Sequence, residues 1–229
     1  SFVGTAGTSP EVSTITVTPT YTNNGEECEG PSFTFSITVN PTAQVNEVAS
    51  QVLCNNESTD AINFTTENSG GTTTYTWTNN NTAINLAASG TGNIPSFTVT
   101  AGTTAETATI IVTPTFTNDG ISCEGPTETF TIIVNPTAQV NDVPSQVVCN
   151  GQETDEVVFS TNNSDGITTY EWVNNNTATG LDASGTGNIP SFVGTAGTSP
   201  EVSTITVTPT YTNNGEECEG PSFTFSITV

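Results

Sequence analysis

The sequence predicts an all-β protein, a linear array of small β-sandwiches, on three observations. Thr, Asn, Ser and Gly dominate the polar residues, with Thr roughly a fifth of the chain, a composition that favours strands and turns over helices. Over short runs, apolar residues alternate with polar ones at the period of a half-buried strand. The chain also repeats itself: residues 1–39 recur letter for letter as 191–229, an offset of 190.

Half of that offset holds as well. Residues 40–134 lie on 135–229 without a gap at roughly two-thirds identity. Cys28, Cys123 and Cys218 stand 95 apart, and so do Cys54 and Cys149. The 229 residues therefore divide into the C-terminal part of one repeat (1–39) and two complete repeats (40–134 and 135–229). A unit of this size is near the ~100 residues of an immunoglobulin-like sandwich and can bury a core of its own, unlike a solenoid unit. Because Ser1 falls in mid-repeat, a stretch of a longer tandem array is expected. The alternative is a partial domain completed by strands of another subunit.

Within a repeat, Val45–Val48 reads as the first strand, and Ile62 with Phe64, or Val157 with Phe159, as the second. Tyr75 and Trp77, repeated as Tyr170 and Trp172, share one parity on a Thr-rich strand and are expected to fill the core between two sheets. Ile15 and Val17, flanked by Thr14, Thr16 and Thr18, give the next strand. Asn23-Asn24-Gly25 or Asn118-Asp119-Gly120 supplies the turn that leads to the last one. There Phe33, Phe35, Ile37 and Val39 alternate with Ser32, Thr34, Ser36 and Thr38. Asn-Pro-Thr-Ala at Asn40 and at Asn135 marks the seam between repeats. Proline restricts itself and the residue before it, so the link is short, extended and stiff.

Charge excludes more than any motif does. The chain has 23 Asp plus Glu and no Lys, Arg or His, a formal charge of -23. Without a cation there is no phosphate clamp and no attraction to an acidic membrane, so nucleic acid and anionic lipid are not expected as partners. Without His there is no imidazole base, no Ser-His-Asp arrangement and no His-ligated zinc, and no enzyme activity is expected. No run approaches ~18 apolar residues and Ser-Phe-Val-Gly opens without a basic region, so no membrane insertion is expected, and export and anchoring signals are expected elsewhere in the polypeptide.

Five cysteines suggest a disulfide framework. Cys54 with Cys123, and Cys149 with Cys218, would each close a loop inside one repeat, leaving Cys28 with a partner outside these residues. Each bond would contribute about 4 kcal/mol on the loop-entropy account and place the protein outside the cytosol. The alternative is five buried thiols. A Cys28–Cys54 bond across the seam is disfavoured because the whole last strand separates Cys28 from the seam. Zinc needs closer cysteine spacing than this.

Acidic loops are the remaining candidates for chemistry: Glu26, Glu27 and Glu29, their counterparts Asp119 and Glu124, then Glu216, Glu217 and Glu219, and Asp165. Calcium suits such oxygens, but no Asp-x-Asp-x-Asp-Gly run occurs, and solvated turn carboxylates are the competing reading. No cofactor is expected beyond that weak calcium possibility. Recurrence on every repeat argues against a paired-carboxylate active site. Asn56, Asn63, Asn80, Asn162 and Asn175 open glycosylation triplets that chance alone would supply in so Asn- and Thr-rich a chain.

One set of residues carries a family likeness: Val148-Cys149-Asn150-Gly151, Tyr170-x-Trp172, the run 183–192, Thr206-Val207-Thr208-Pro209-Thr210 and Cys218-Glu219-Gly220. The other copy has Cys54-Asn55-Asn56, Tyr75-x-Trp77, 88–97, 112–115 and Cys123-Glu124-Gly125. This pattern resembles the PKD-like, immunoglobulin-like modules of giant surface adhesins in Bacteroidetes-type bacteria, gliding-motility adhesins among them. The resemblance implies an exported, cell-surface filament or adhesin stalk. The Gly-Asp-Gly that often follows Tyr-x-Trp in such modules is Asn79 to Asn81 and Asn174 to Asn176 here, which removes the basis for a ligand role there. Expected partners are neighbouring repeats, with lateral self-association or surface glycans besides. A weak glycan- or surface-binding module acting by avidity is the competing function.

Overall fold

A computed structural model describes residues 3–229; Ser1 and Phe2, which open the recurring 39-residue segment, lie outside the described residues. The chain is almost wholly strand and extended loop. The segment ahead of the first seam contains β1 (Glu11–Val17), β2 (Thr20–Asn23), β3 (Glu26–Glu29) and β4 (Phe33–Val39). The next repeat contains β5 (Gln51–Cys54), β6 (Thr72–Asn79), β7 (Ser89–Thr91), β8 (Glu106–Asn118), β9 (Ile121–Glu124) and β10 (Glu128–Asn135). The last contains β11 (Gln146–Val147), β12 (Ile167–Asn174), β13 (Ser184–Thr186), β14 (Val202–Asn213), β15 (Glu216–Glu219) and β16 (Phe223–Thr228).

Each full repeat builds one six-stranded sheet of the same topology. In the first, the order is β5-β10-β8-β6-β7 with β9 paired to β8; in the second, β11-β16-β14-β12-β13 with β15 paired to β14. β8 is long enough to serve two neighbours along one edge: Glu106–Val112 pairs with β10, and Thr115–Asn118 with β9. The turn between β8 and β9 follows from its sequence. Asp119 and Gly120 have φ of 49° and 77°, and Asn24-Gly25 and Asn214-Gly215 repeat the pair of positive values, as a type I′ hairpin turn requires. The opposing layer is a thin, irregular pair of extended segments joined at Ser58↔Thr98 and Ile62↔Ile94. Between the layers lie Ile62, Phe64, Trp77, Ile84, Ile94, Val99, Ile110, Val112, Phe130 and Ile132, and their counterparts fill the second repeat.

Trp77 and Trp172 are buried, and Tyr75 and Tyr170 pack half-buried against the same clusters. Gly90 and Gly185 face the two indoles so closely that a Cβ would overlap the ring. The strand expected at Val45–Val48 does not form: a spacing of three is not the strand period, and the segment instead lays Val45 and Val48 on the core as loop. The strand expected at Ile62 and Phe64 is reduced to the single bridge Ile62↔Ile94: both residues are buried, but side chains replace most of the ladder, with Phe64 N donating to Asn93 Oδ1 at 3.0 Å. The Asn-Gly turn does not lead straight into the last strand, since β3 or its equivalent intervenes as a short hairpin.

Residues 3–39 give an internal control on burial. Tyr21 and Phe35 are 69% and 41% exposed, whereas the identically placed Tyr211 and Phe225 are 0% and 5% exposed. The same letters keep the same strand pairings in both places, although β14 is continuous where β1 and β2 are separate. They are covered only where the preceding part of the repeat is present.

Candidate functional site: the seam between repeats

In each full repeat one strand, β8 or β14, runs the length of the sheet, which places the two ends of the repeat far apart. β5 lies parallel to the end of β10, with Cys54 opposite Asn135. Cys123 sits on β9 opposite Phe116, near the other end of β8. About ten residues of strand at ~3.3 Å each separate these levels, some 30 Å or more, whereas a disulfide needs Cα atoms within ~7 Å. The within-repeat bonds Cys54–Cys123 and Cys149–Cys218 are therefore not formed. Cys54 instead bonds to Cys218 of the following repeat, with Cα atoms 5.5 Å apart, while Cys28, Cys123 and Cys149 remain thiols.

The bond closes a seam held by several other contacts. Asn135, fully buried, donates from Nδ2 to the Asn213 carbonyl at 2.9 Å and accepts at Oδ1 from Asn213 Nδ2 at 3.2 Å. Asn55 Nδ2 donates to Thr137 Oγ1 at 3.1 Å, and Asn163 Nδ2 to the carbonyls of Thr103 and Thr137. Ser164 N donates to the Thr103 carbonyl at 3.2 Å. Gly220 rests on the backbone of Ala138, where a Cβ would overlap the carbonyl oxygen. A side chain at that position would push the hairpin, and Cys218 with it, off the seam.

The first seam is built the same way. Asn118 Nδ2 donates to Asn40 Oδ1 at 3.0 Å, Asn68 Nδ2 to the carbonyls of Thr8 and Thr42, and Gly125 abuts the Ala43 carbonyl as Gly220 abuts Ala138. Every one of these residues lies 95 positions before its counterpart in the second seam. Sequence reasoning missed this constellation. The signal was the recurrence of Asn40, Asn118 and Gly125 as Asn135, Asn213 and Gly220.

The acidic candidates do not converge. Glu26, Glu27 and Glu29 are exposed on β3, Asp119 occupies its hairpin turn, and Glu124 ends β9. Among the described residues, metal-ligating atoms cluster at Cys54, Glu57 and Glu216, but the Cys54 sulfur is committed to the disulfide. None of Glu26, Glu27, Asp119, Glu124 and Asp165 belongs to that cluster. Asp165 lies beside Tyr211, whose hydroxyl donates to the Ser164 carbonyl at 2.8 Å. Burial, and then the Asp165 charge, raise the Tyr211 pKa above its ordinary value.

The Asn triplets act as brackets. Asn79 Nδ2, nearly buried, donates to the carbonyls of Asn81 and Leu86, and Asn81 Oδ1 caps the short 3-10 turn at Thr82–Ile84 by accepting from Ala83 N. Asn174 and Asn176 repeat the arrangement around Thr177–Thr179. Of the glycosylation candidates, Asn80 Oδ1 accepts from Thr109 N at 2.7 Å, Asn175 Oδ1 from Thr204 N at 2.8 Å and Asn63 Oδ1 from Asn93 Nδ2 at 3.0 Å. These amides serve the fold.

No helix among the described residues is long and apolar enough to cross a membrane. No protein-family model and no curated protein matches the chain. Solved structures with some likeness include the chicken CNTN1 FN1-FN3 domains, at 13% identity over 94% of this chain and 75% of that one, with a TM-score of 0.30. The zebrafish RET cadherin-like domains 1 to 4 share 11% identity over 95% of this chain and 58% of that one, with a TM-score of 0.21. The human desmocollin-1 ectodomain shares 12% over 86% of this chain and 43% of that one, with a TM-score of 0.25.

Proposed function

We propose that this chain is a structural segment of an extracellular surface fibre or adhesin stalk of the gliding-adhesin type, in which tandem sandwiches serve as stiff links. The observation that carries this reading is the Cys54–Cys218 bond, which ties one repeat to the next rather than closing either one. A bond so placed adds nothing to a ligand pocket but holds successive sandwiches in line. It also favours an oxidising compartment, as the chain's uniform negative charge favours a soluble, non-membrane surface. The tryptophans that a glycan platform would expose are buried.

Antibody raised against the chain, applied to intact and to permeabilised producing cells and followed by electron microscopy, tests the reading. The expected result is labelling of intact cells along threads with an axial spacing set by the repeat. Labelling confined to permeabilised cells would overturn it.

A further inference from the structure

The two halves of the Cys54–Cys218 bond recur 95 residues away, and both take a similar local backbone there without the bond, although β11 stops at Val147 where β5 runs on to Cys54. Cys149 stands where Cys54 does. Gln152 N donates to the Cys149 carbonyl at 2.9 Å as Glu57 N does to that of Cys54 at 3.1 Å. Ala196 N donates to Asn150 Oδ1 at 3.1 Å as Ala101 N does to Asn55 Oδ1 at 3.0 Å. Gly151, at φ 83°, takes the left-handed position that Asn56 holds at 71°. Cys123 stands where Cys218 does: it faces Phe116 across the hairpin as Cys218 faces Tyr211, two residues before the glycine that abuts the seam.

Exposure tracks what covers each sulfur. Cys218, under its partner repeat, is 2% exposed; Cys123 is half-buried and Cys149 is open to solvent. The Cys149 turn thus presents a half-site at the end of the 135–229 repeat that faces away from 40–134.

We propose that Cys149 and Cys123 are complementary halves of a second inter-repeat disulfide, formed between Cys149 of one 190-residue period and Cys123 of the period that follows. The partner is a second copy of this chain's own 40–134 repeat, seated on the end of 135–229 as 135–229 is seated on 40–134. Every seam of such an array then carries a covalent staple. Cys28, with the flanking sequence and hairpin pairing of Cys218 but exposed, is the receiving half for the preceding period. The inference rests on the tandem-array reading above and adds covalent continuity to it.

The chemistry balances by thiol–disulfide exchange with an oxidised dithiol, protein-borne or small. The exposed Cys149 thiolate attacks the donor disulfide and releases one donor thiol. The Cys123 thiolate then attacks the Cys149 sulfur of the mixed disulfide and releases the second. One S–S bond forms for the one broken, and the donor carries away two electrons and two protons.

Thiol counting and peptide mapping test this on the 229-residue chain and on the same chain extended after Val229 by one further copy of 40–229. Both are oxidised with glutathione disulfide, denatured, labelled with maleimide, and cut with a Glu-specific protease. The shorter chain has three free thiols. The longer one, with four added cysteines, is expected still to have three, with the Cys149 peptide joined to the Cys123 peptide of the added copy. A rise to five, with both new seam cysteines labelled, overturns the proposal. A fall to one would indicate bonding inside each repeat and overturns it too. Cys149→Ser in the first period should free the facing Cys123 and raise the labelled count to four, without loss of the β-sheet circular dichroism signal. Images of the longer chain separate the two claims: an extended rod with unpaired thiols sinks the staple alone, and a collapsed globule sinks the fibre reading.

Discussion

Asn135 and Asn213 exchange two hydrogen bonds across the seam, at 2.9 Å and 3.2 Å, with Asn135 fully buried. Each amide satisfies a polar group of the other, and Asn135 is shut off from solvent. Asn213→Ala is expected to cost about 1 to 3 kcal/mol, the penalty of leaving a buried polar group unpaired. Asn118→Ala, at the more open first seam, is expected to cost less. Urea midpoints of the two variants check the order, and equal losses would contradict it.

The Cys54–Cys218 staple spans 164 residues. On the loop-entropy account its reduction, or Cys218→Ser, should cost about 5 kcal/mol. Under force applied at the two ends the effect is larger in kind, because the covalent path jumps from Cys54 to Cys218 and bypasses nearly all of both full repeats. Single-molecule pulling of the oxidised chain should show no unfolding step from either repeat. With reductant, two steps of roughly 300 Å should appear, at ~3.3 Å per extended residue. Identical traces in the two conditions would contradict the seam-crossing bond.

Gly220→Val is expected to open the second seam while leaving the sheet of the repeat intact, since the added side chain meets the Ala138 backbone rather than a yielding side chain. The cost should fall in the 1 to 3 kcal/mol range typical of overpacking. The diagnostic readout is Cys54: maleimide should label it in the variant and not in the parent. Gly197→Ala, with open space around it, serves as the control.

Tyr211 supplies a pH limit. Its folded pKa lies above the ordinary 10.0, so the phenol contributes stability that is fully present below pH 10 and is lost as pH rises through the folded pKa. Unfolding scans at alkaline pH should show the second repeat weakening in that window. Asp165→Asn should reduce the stability lost at alkaline pH, because it removes the negative charge beside the phenolate, lowers the folded pKa toward the ordinary value and leaves burial as the one opposing cause. An unchanged alkaline loss would show that Asp165 does not act on Tyr211.

Charge sets how threads associate. The -23 charge with no cation should keep threads apart at neutral pH and modest salt, where like charges act over ~10 Å at 0.1 M. Millimolar calcium, or a pH near the sequence pI of about 4.1, should promote side-by-side bundling with little change in the fold. Light scattering that ignores both variables would rule out charge as the control.

How much could be read from the chain alone depended on whether the signal was local. Periodicity of two placed Phe33, Phe35 and Ile37 on a strand, and the Trp77 and Trp172 parity pointed both indoles into cores that the structure contains. Asn-Gly and Asp-Gly pairs marked hairpin turns because positive φ at successive residues is a property of those residues themselves. The loop at Val45–Val48 was misread because two apolar residues can rest on a core without belonging to a ladder. The disulfide was misassigned for a different reason. Equal spacing within each repeat is the same arithmetic as equal spacing between repeats, so the sequence cannot say which cysteine of the 95-residue period faces which. Tertiary structure decides it through strand length: the span of β8 sets Cys54 on β5 and Cys123 on β9 at opposite ends of one sheet, and the seam brings Cys54 to Cys218 of the next. Sequence by itself determined the repeat, the all-β class and the absence of any cationic chemistry. Only the packing of one repeat end on the next, where Asn135, Gly220 and Cys218 meet, decided that the bond belongs to the array rather than to the unit.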